Sequence, residues 1–307
     1  GMSAKLLIAT ALATTLLVSG CAVVDSVAGP SSPHSQVARD LGMPTANPEA
    51  VGFSTAGLDT LTAEFRTLVD QQKLAGVTTL VSRHGKVVHF DTYGKQDASK
   101  QDALRPDSIF RIASMTKPIA GVAMMQLWEQ GKWKLNDPVS KFIPEFANLQ
   151  VKKAGGGTEP QRSPMTMAQL MSHSAGFGVS AIYESANLGA TDLQGMIDKL
   201  KTLPLETQPG TNWDYGPSVN IQGYIVEKLS GQSLDVYFDE HIFKPLGMVD
   251  TGFWAPPEKA GRVVAIHTYD SAGKIKGPAE NRVTTSKPSF LAASGGLMST
   301  AKDYWRF

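Results

Sequence analysis

Cysteine is nearly missing from this chain of 307 residues. There is one, Cys21, against 29 glycines and 18 prolines. A single thiol closes no internal disulfide, so the fold is not a disulfide-stapled scaffold. No Cys/His cluster is available for zinc, and no H-E-x-x-H occurs, which argues against metal-dependent hydrolysis. Charge of one sign is not in excess either, with 29 Lys and Arg against 28 Asp and Glu. Without a basic patch or an acidic tail, nothing points to nucleic acid. The glycine run AGGGT at Ala154 lacks a following Gly-Lys-Ser/Thr, so it is not a phosphate loop. No G-x-S-x-G elbow occurs, which removes the basis for an α/β-hydrolase reading. We expect no metal and no cofactor.

One long apolar run stands at the start. Lys5 gives a short positive region, LLIATALATTLLV an apolar core too short to span a bilayer comfortably, and VSGC ends at Cys21. Small residues before a lone cysteine at this place resemble a bacterial lipobox, in which the cysteine is lipidated and becomes the mature N-terminus. An ordinary signal peptide with an unremarkable cysteine is the plainer alternative. Ala22 resembles outer-membrane sorting, so the expected location is the cell envelope, anchored in the outer membrane and facing the periplasm. Gly1 before Met2 reads as a cloning remnant. The expected organisation is a signal peptide over 1–20, a lipidated tether over 21–50, rich in Ser, Pro, Ala and Gly, and one folded region over 51–307.

In that region, Leu58, Leu61, Phe65, Leu68 and Val69 fall on one helical face behind Ser54 or Thr55 as cap. VTTLVSRHGKVVHFDTYG reads as a β-hairpin turning at His84-Gly85-Lys86. The run Ser114 to Gly131 is apolar on nearly every side, which predicts a buried helix stopped at Gly131. Met124, Met125 and Trp128 are read as its core contacts. KKAGGGTEPQRSP reads as a surface loop, MTMAQLMSH, TDLQGMIDKLKTL and SVNIQGYIVEKLSG as helices, and GRVVAIHTYDSAGKI as strands.

Three S-x-x-K pairs occur: Ser114/Lys117, Ser271/Lys274 and Ser299/Lys302. A serine hydroxyl needs a base, and on a helix residues three apart share a face. At a helix start, free N–H groups and the dipole favour developing negative charge. A lysine acts as base when burial lowers its proton affinity. Only Ser114 heads a buried helix. Ser271 lies in a polar turn, and the ST of STAKDYWRF is more simply a helix N-cap.

FRIASMTKPIAGVAMMQLWEQGKWKLNDPVSKFIPEF resembles the first signature block of the serine β-lactamase-related family, which includes class C β-lactamases, penicillin-binding D,D-peptidases and family VIII carboxylesterases. TMAQLMSHSAGF resembles its L-L-x-H-x-S-G segment. The block around WDYGPS resembles its second motif, and SGGLMSTAKDYWRF a later segment. The resemblance runs from about Phe53 to Phe307. It implies an α/β (α+β) fold of the β-lactamase/transpeptidase type: an antiparallel sheet flanked by helices, plus a helical lobe. It also implies a serine hydrolase domain with Ser114 acylated, and Lys117 or Tyr215 as base. His173 reads as a structural histidine.

The second motif departs from Tyr-x-Asn, because Pro217 stands in third place. A proline side chain offers no donor or acceptor. This favours small esters as substrates, with Asn220 a candidate substrate contact. The alternatives are a β-lactamase or D,D-peptidase on β-lactams or peptidoglycan peptides, and a non-catalytic binding lipoprotein. The family's third motif is absent, so the chain is expected to stop before its site is complete and to leave the hairpin without its inner strands.

Overall fold

The computed structural model describes residues 31–178, 190–280 and 283–307. The expected signal peptide and Cys21 lie outside them. The stretch read as a tether is packed from Ser32 onwards, which corrects that reading. A 3-10 turn (Pro33–Ser35) leads into α1 (Gln36–Asp40). Ala38 and Met43 are buried against Val87 and Phe90, with Val37, Leu41 and Trp305 around them. A polar clip adds to this contact. His34 Nε2 meets Asp59 Oδ1 at 2.6 Å, and His34 Nδ1 meets His89 Nδ1 at 3.0 Å. His89 Nε2 reaches Thr79 Oγ1 at 2.6 Å. Burial, then the neighbouring His34, pushes His89 below its ordinary value, so this buried ring favours its neutral form. A Ser- and Pro-rich composition hid a few well-placed apolar side chains.

α2 (Thr55–Asp70) starts where Ser54 Oγ accepts the Gly57 N–H at 3.1 Å. The hairpin follows as β1 (Gly76–Arg83) and β2 (Lys86–Asp97), antiparallel, with β3 (Asp102–Ala103) on the far side of β2. His84 and Gly85 both take positive φ, 52° and 71°. That turn matches the right-handed twist of the strands it joins. Among the described residues β1 pairs on one edge only. The hairpin is nonetheless covered on part of its surface, by the packed N-terminal stretch.

A short strand, β4 (Phe110–Arg111), and a 3-10 turn (Ala113–Thr116) deliver the chain to α3 (Lys117–Glu129). α3 ends before Gly131, which takes the left-handed conformation with φ 72°. Ile119, Ala123, Met124 and Leu127 are buried in the largest apolar cluster. The helix is not enclosed all round, however. Val122, Met125 and Trp128 are 38%, 39% and 42% exposed. They stand three residues apart on the face opposite the helical layer, so Met125 and Trp128 are not core residues as expected.

The supposed loop after Leu149 is a hairpin of β5 (Gln150–Lys152) and β6 (Thr158–Pro160), held because Val151 is buried and Lys152 N–H reaches the Leu205 carbonyl. α4 (Met167–Met171) opens on a capping box between Thr166 and Gln169. α5 (Leu193–Leu200) and α6 (Ser218–Ser230) complete the helical layer, with Met196, Ile197, Ile221, Ile225 and Val226 in the common core. α6 packs on α3. Beyond α7 (Leu234–Phe238) and the single turn α8 (Lys244–Leu246), β7 (Ile266–Tyr269) and β8 (Ile275–Glu280) form the expected second hairpin. β9 (Met298–Ser299) pairs antiparallel with β4 and leads into α9 (Ala301–Arg306), whose cap is Thr300. The β4–β9 pairing draws the Leu291–Leu297 stretch against the start of α3.

The packed N-terminus is testable. Met43→Ala should lower unfolding free energy by about 2–3 kcal/mol, as for other buried large-to-small changes, measured by urea denaturation. A loss below about 0.5 kcal/mol, typical of unpacked surface positions, would mean this stretch is a tether after all.

Candidate active site

Local chain geometry puts Ser114 at an exposed corner. Ala113, just before it, takes φ 46°, a left-handed conformation that costs a non-glycine residue roughly 1–2 kcal/mol. Ser114 then enters the 3-10 turn ahead of α3, where N–H groups lack partners within the helix. One turn on, Lys117 folds back over it. Lys117 Nζ lies 3.0 Å from Ser114 Oγ and donates to the Ser294 carbonyl at 2.8 Å.

From the other side comes Tyr215, distant in sequence. Its hydroxyl donates to Ser114 Oγ at 2.7 Å. Lys117 Nζ also lies 4.4 Å from the centre of the Tyr215 ring, close enough for a cation–π contact. Burial pushes the Tyr215 phenol up, but its contacts with Lys117 and Ser114 and the Lys117 charge outweigh this and hold it below its ordinary value. The serine hydroxyl therefore sits between two groups within proton-transfer reach.

Several neighbours fix Tyr215. His173 stacks on it with ring centres 4.9 Å apart. The His173 Nδ1 accepts the Gly216 N–H at 3.4 Å. Burial, then the Lys117 charge, pushes His173 down, and its contacts with Tyr215 and Gly216 make it a supporting ring. Gly216 is required by close approach: a Cβ there would lie 2.7 Å from the Gly178 carbonyl oxygen. Pro217 occupies the N-cap position of α6, where a missing N–H and a fixed φ are tolerated. Trp213 stands 69% exposed beside this group.

Asn220 is not where the sequence reading put it. It is 3% exposed, and its Oδ1 accepts the Ser294 N–H at 2.9 Å. That places it behind the site, in the first turn of α6, and corrects its expected role as a substrate contact. The Ser294 carbonyl was missed, because a backbone acceptor leaves no side-chain signal. Only the adjoining Gly295-Gly296 marked the stretch. The other two S-x-x-K pairs are elsewhere. Ser271 and Lys274 belong to the β7–β8 turn, where Asp270 Oδ1 accepts the Lys274 N–H at 3.0 Å. Lys302 donates to the Leu41 carbonyl at 3.0 Å. Two cavities, of about 640 and 430 Å³, lie away from Ser114, one between α2 and the β2–β3 turn and one beside Val249 and Trp254. No group of three or more His, Cys, Asp or Glu side chains suited to a metal ion occurs among the described residues.

Comparison with known proteins places this geometry. The beta-lactamase family profile matches residues 61–307. Protein Rv1367c of Mycobacterium tuberculosis is 32% identical over 261 residues, covering 81% of this chain and 65% of that protein. Esterase EstB of Burkholderia gladioli is 31% identical over 227 residues, covering 69% of this chain and 56% of EstB. The chain thus spans less than two-thirds of the length of these relatives. Among solved structures, EstCE1, described as a hydrolase with promiscuous acyltransferase activity, superposes with a TM-score of 0.67 at 22% identity, over 81% of this chain and 70% of its own.

The electrostatics yield a signed expectation. A phenol held low in the folded state adds stability at high pH, and that contribution is lost as pH falls through the folded value. Replacing the cation reverses the shift. In Lys117→Met, ultraviolet difference titration against Tyr215→Phe should show the Tyr215 phenol ionising at higher pH than in the parent chain. An unmoved titration would mean that Lys117 does not act on the phenol.

Proposed function

This chain belongs to the beta-lactamase family, and on that premise we propose that it is a serine hydrolase that cleaves small carboxylic esters through an acyl-enzyme on Ser114. The observation that carries the reading is the Ser114 hydroxyl held at 2.7 Å from Tyr215 and 3.0 Å from Lys117. Tyr215, with its lowered proton affinity, is the favoured base, and Lys117 supplies the stabilising positive charge. Once the Tyr215 phenol has lost its own proton to solvent, Ser114 Oγ attacks the ester carbonyl as its proton passes to the phenolate. The proton then goes to the departing alkoxide, and the C–O bond to the alcohol breaks. Water attacks the acyl-serine, giving a proton to the same base. The acid leaves as the C–Oγ bond breaks, and Ser114 regains its proton.

Two features support an ester over an amide or lactam. Pro217 offers no side-chain amide at the second motif, and Asn220 is buried behind the site with its Oδ1 turned to the Ser294 N–H. The relative EstB is named an esterase. A lipid on Cys21 would hold this activity at the outer membrane, facing the periplasm.

Fluorophosphonate labelling of the full chain should be lost in Ser114→Ala, and turnover of p-nitrophenyl butyrate should fall at least about 10³-fold, as for other serine nucleophiles. Labelling that persists in that variant would sink the assignment. Nitrocefin turnover exceeding ester turnover would sink the substrate class. Radiolabelled palmitate should enter the protein in bacterial cells and not its Cys21→Ser variant. Equal incorporation in both would rule out the anchor.

A further inference from the structure

We propose that Asn220 is a positioning residue of this site, holding the backbone carbonyl against which Lys117 is set. The inference rests on the esterase reading for its kinetic arm only. Asn220 does not approach Ser114. It works through two links: its Oδ1 accepts the Ser294 N–H at 2.9 Å, and the Ser294 carbonyl accepts Lys117 Nζ at 2.8 Å. Lys117 in turn reaches Ser114 Oγ at 3.0 Å. Tyr215, which precedes α6 by three residues, closes the circuit on Ser114 at 2.7 Å. One helix start thus supports the site twice, directly through Tyr215 and indirectly through Asn220.

The need for this clamp follows from the chain after Ser294. Gly295 and Gly296 have the greatest backbone freedom of any residues. Gly296 cannot be stiffened by a side chain, since a Cβ would lie 3.0 Å from both the Cβ and the carbonyl oxygen of Ala292. A carbonyl next to two glycines is aimed by whatever fixes its flanks. On the far flank, Thr116 Oγ1 accepts the Leu297 N–H at 3.2 Å, and the Ile112 N–H reaches the Leu297 carbonyl at 3.0 Å. On the near flank the Ala292 carbonyl accepts the N–H groups of Gly295 and Gly296 at 3.2 and 2.8 Å, closing a turn, and Asn220 adds a side-chain bond to that turn at Ser294. Its burial, at 3% exposure, keeps water from competing for the Ser294 N–H. Without it the turn keeps only its backbone bonds to Ala292, and the Ser294 carbonyl is held less firmly against the Lys117 amine.

The test compares Asn220→Leu, which keeps the volume and removes the acceptor, with Asn220→Asp, which keeps an acceptor oxygen. Both are made in the full chain, with active sites counted by fluorophosphonate. Asn220→Leu should lower kcat for p-nitrophenyl butyrate roughly 10- to 100-fold, the scale of a small misplacement of a catalytic group, with KM changed by less than about twofold. Asn220→Asp should restore kcat to within about threefold. Hydrogen exchange over residues 293–297 should be faster in Asn220→Leu and near the parent rate in Asn220→Asp. Unchanged kcat per titrated site in Asn220→Leu overturns the proposal, as does unchanged exchange over 293–297. If Asn220→Leu does not fold, Asn220→Asp decides alone: parent-like exchange and kcat support the clamp, and a loss of either overturns it. A parent chain with no ester turnover overturns the esterase reading instead, and the exchange measurement still decides the clamp.

Discussion

The Lys117 ammonium is the contact on which the rest of the site depends. It touches the Ser114 hydroxyl, the Ser294 carbonyl and the face of the Tyr215 ring at once. Those three groups come from three parts of the chain, and each part is built to deliver its group. The 3-10 turn and the start of α3 supply serine and lysine one turn apart. The segment before α6 supplies the phenol, with His173 stacked behind it. The β4–β9 pairing brings up the carbonyl. A charge so placed attracts a polarised oxygen, meets a π face and depresses a phenol.

What could be read in the sequence follows the range of the contacts involved. Ser114 and Lys117 are three residues apart where a 3-10 turn runs into α3, so spacing and an apolar sequel were enough to single them out from two rival pairs. The His84-Gly85 turn was legible for the same local reason. Tyr215 lies on the order of a hundred residues from Ser114 and came from motif resemblance, not from spacing. Asn220 was assigned to substrate because its neighbours suggested a motif, and only the fold shows that it faces the Ser294 amide. The packed stretch from Ser32 was hidden by composition, since Ala38 and Met43 bury against Val87 and Phe90 amid serines and prolines. The open stripe of Val122, Met125 and Trp128 was invisible because hydrophobicity says what a residue prefers, not what stands opposite it.

The fold is of the β-lactamase/transpeptidase type, with antiparallel strands, a helical layer and the serine at the head of the helix between them. Family and fold place the chain among the serine hydrolases of the β-lactamase type, and what distinguishes it within that family is to be sought in side chains at the rim. Pro217 is one such position: a helix start tolerates it for backbone reasons, and the same ring removes an amide from the site.

The burial of Ala38 and Met43 also changes a length. If Cys21 carries lipid, the leash between membrane and folded domain is not some thirty residues long but roughly eleven, which stretch to at most about 40 Å. A domain on so short a leash stays within its own diameter of the bilayer. Ser114 would then sample a thin layer of the envelope beside the lipid surface, where amphipathic esters collect.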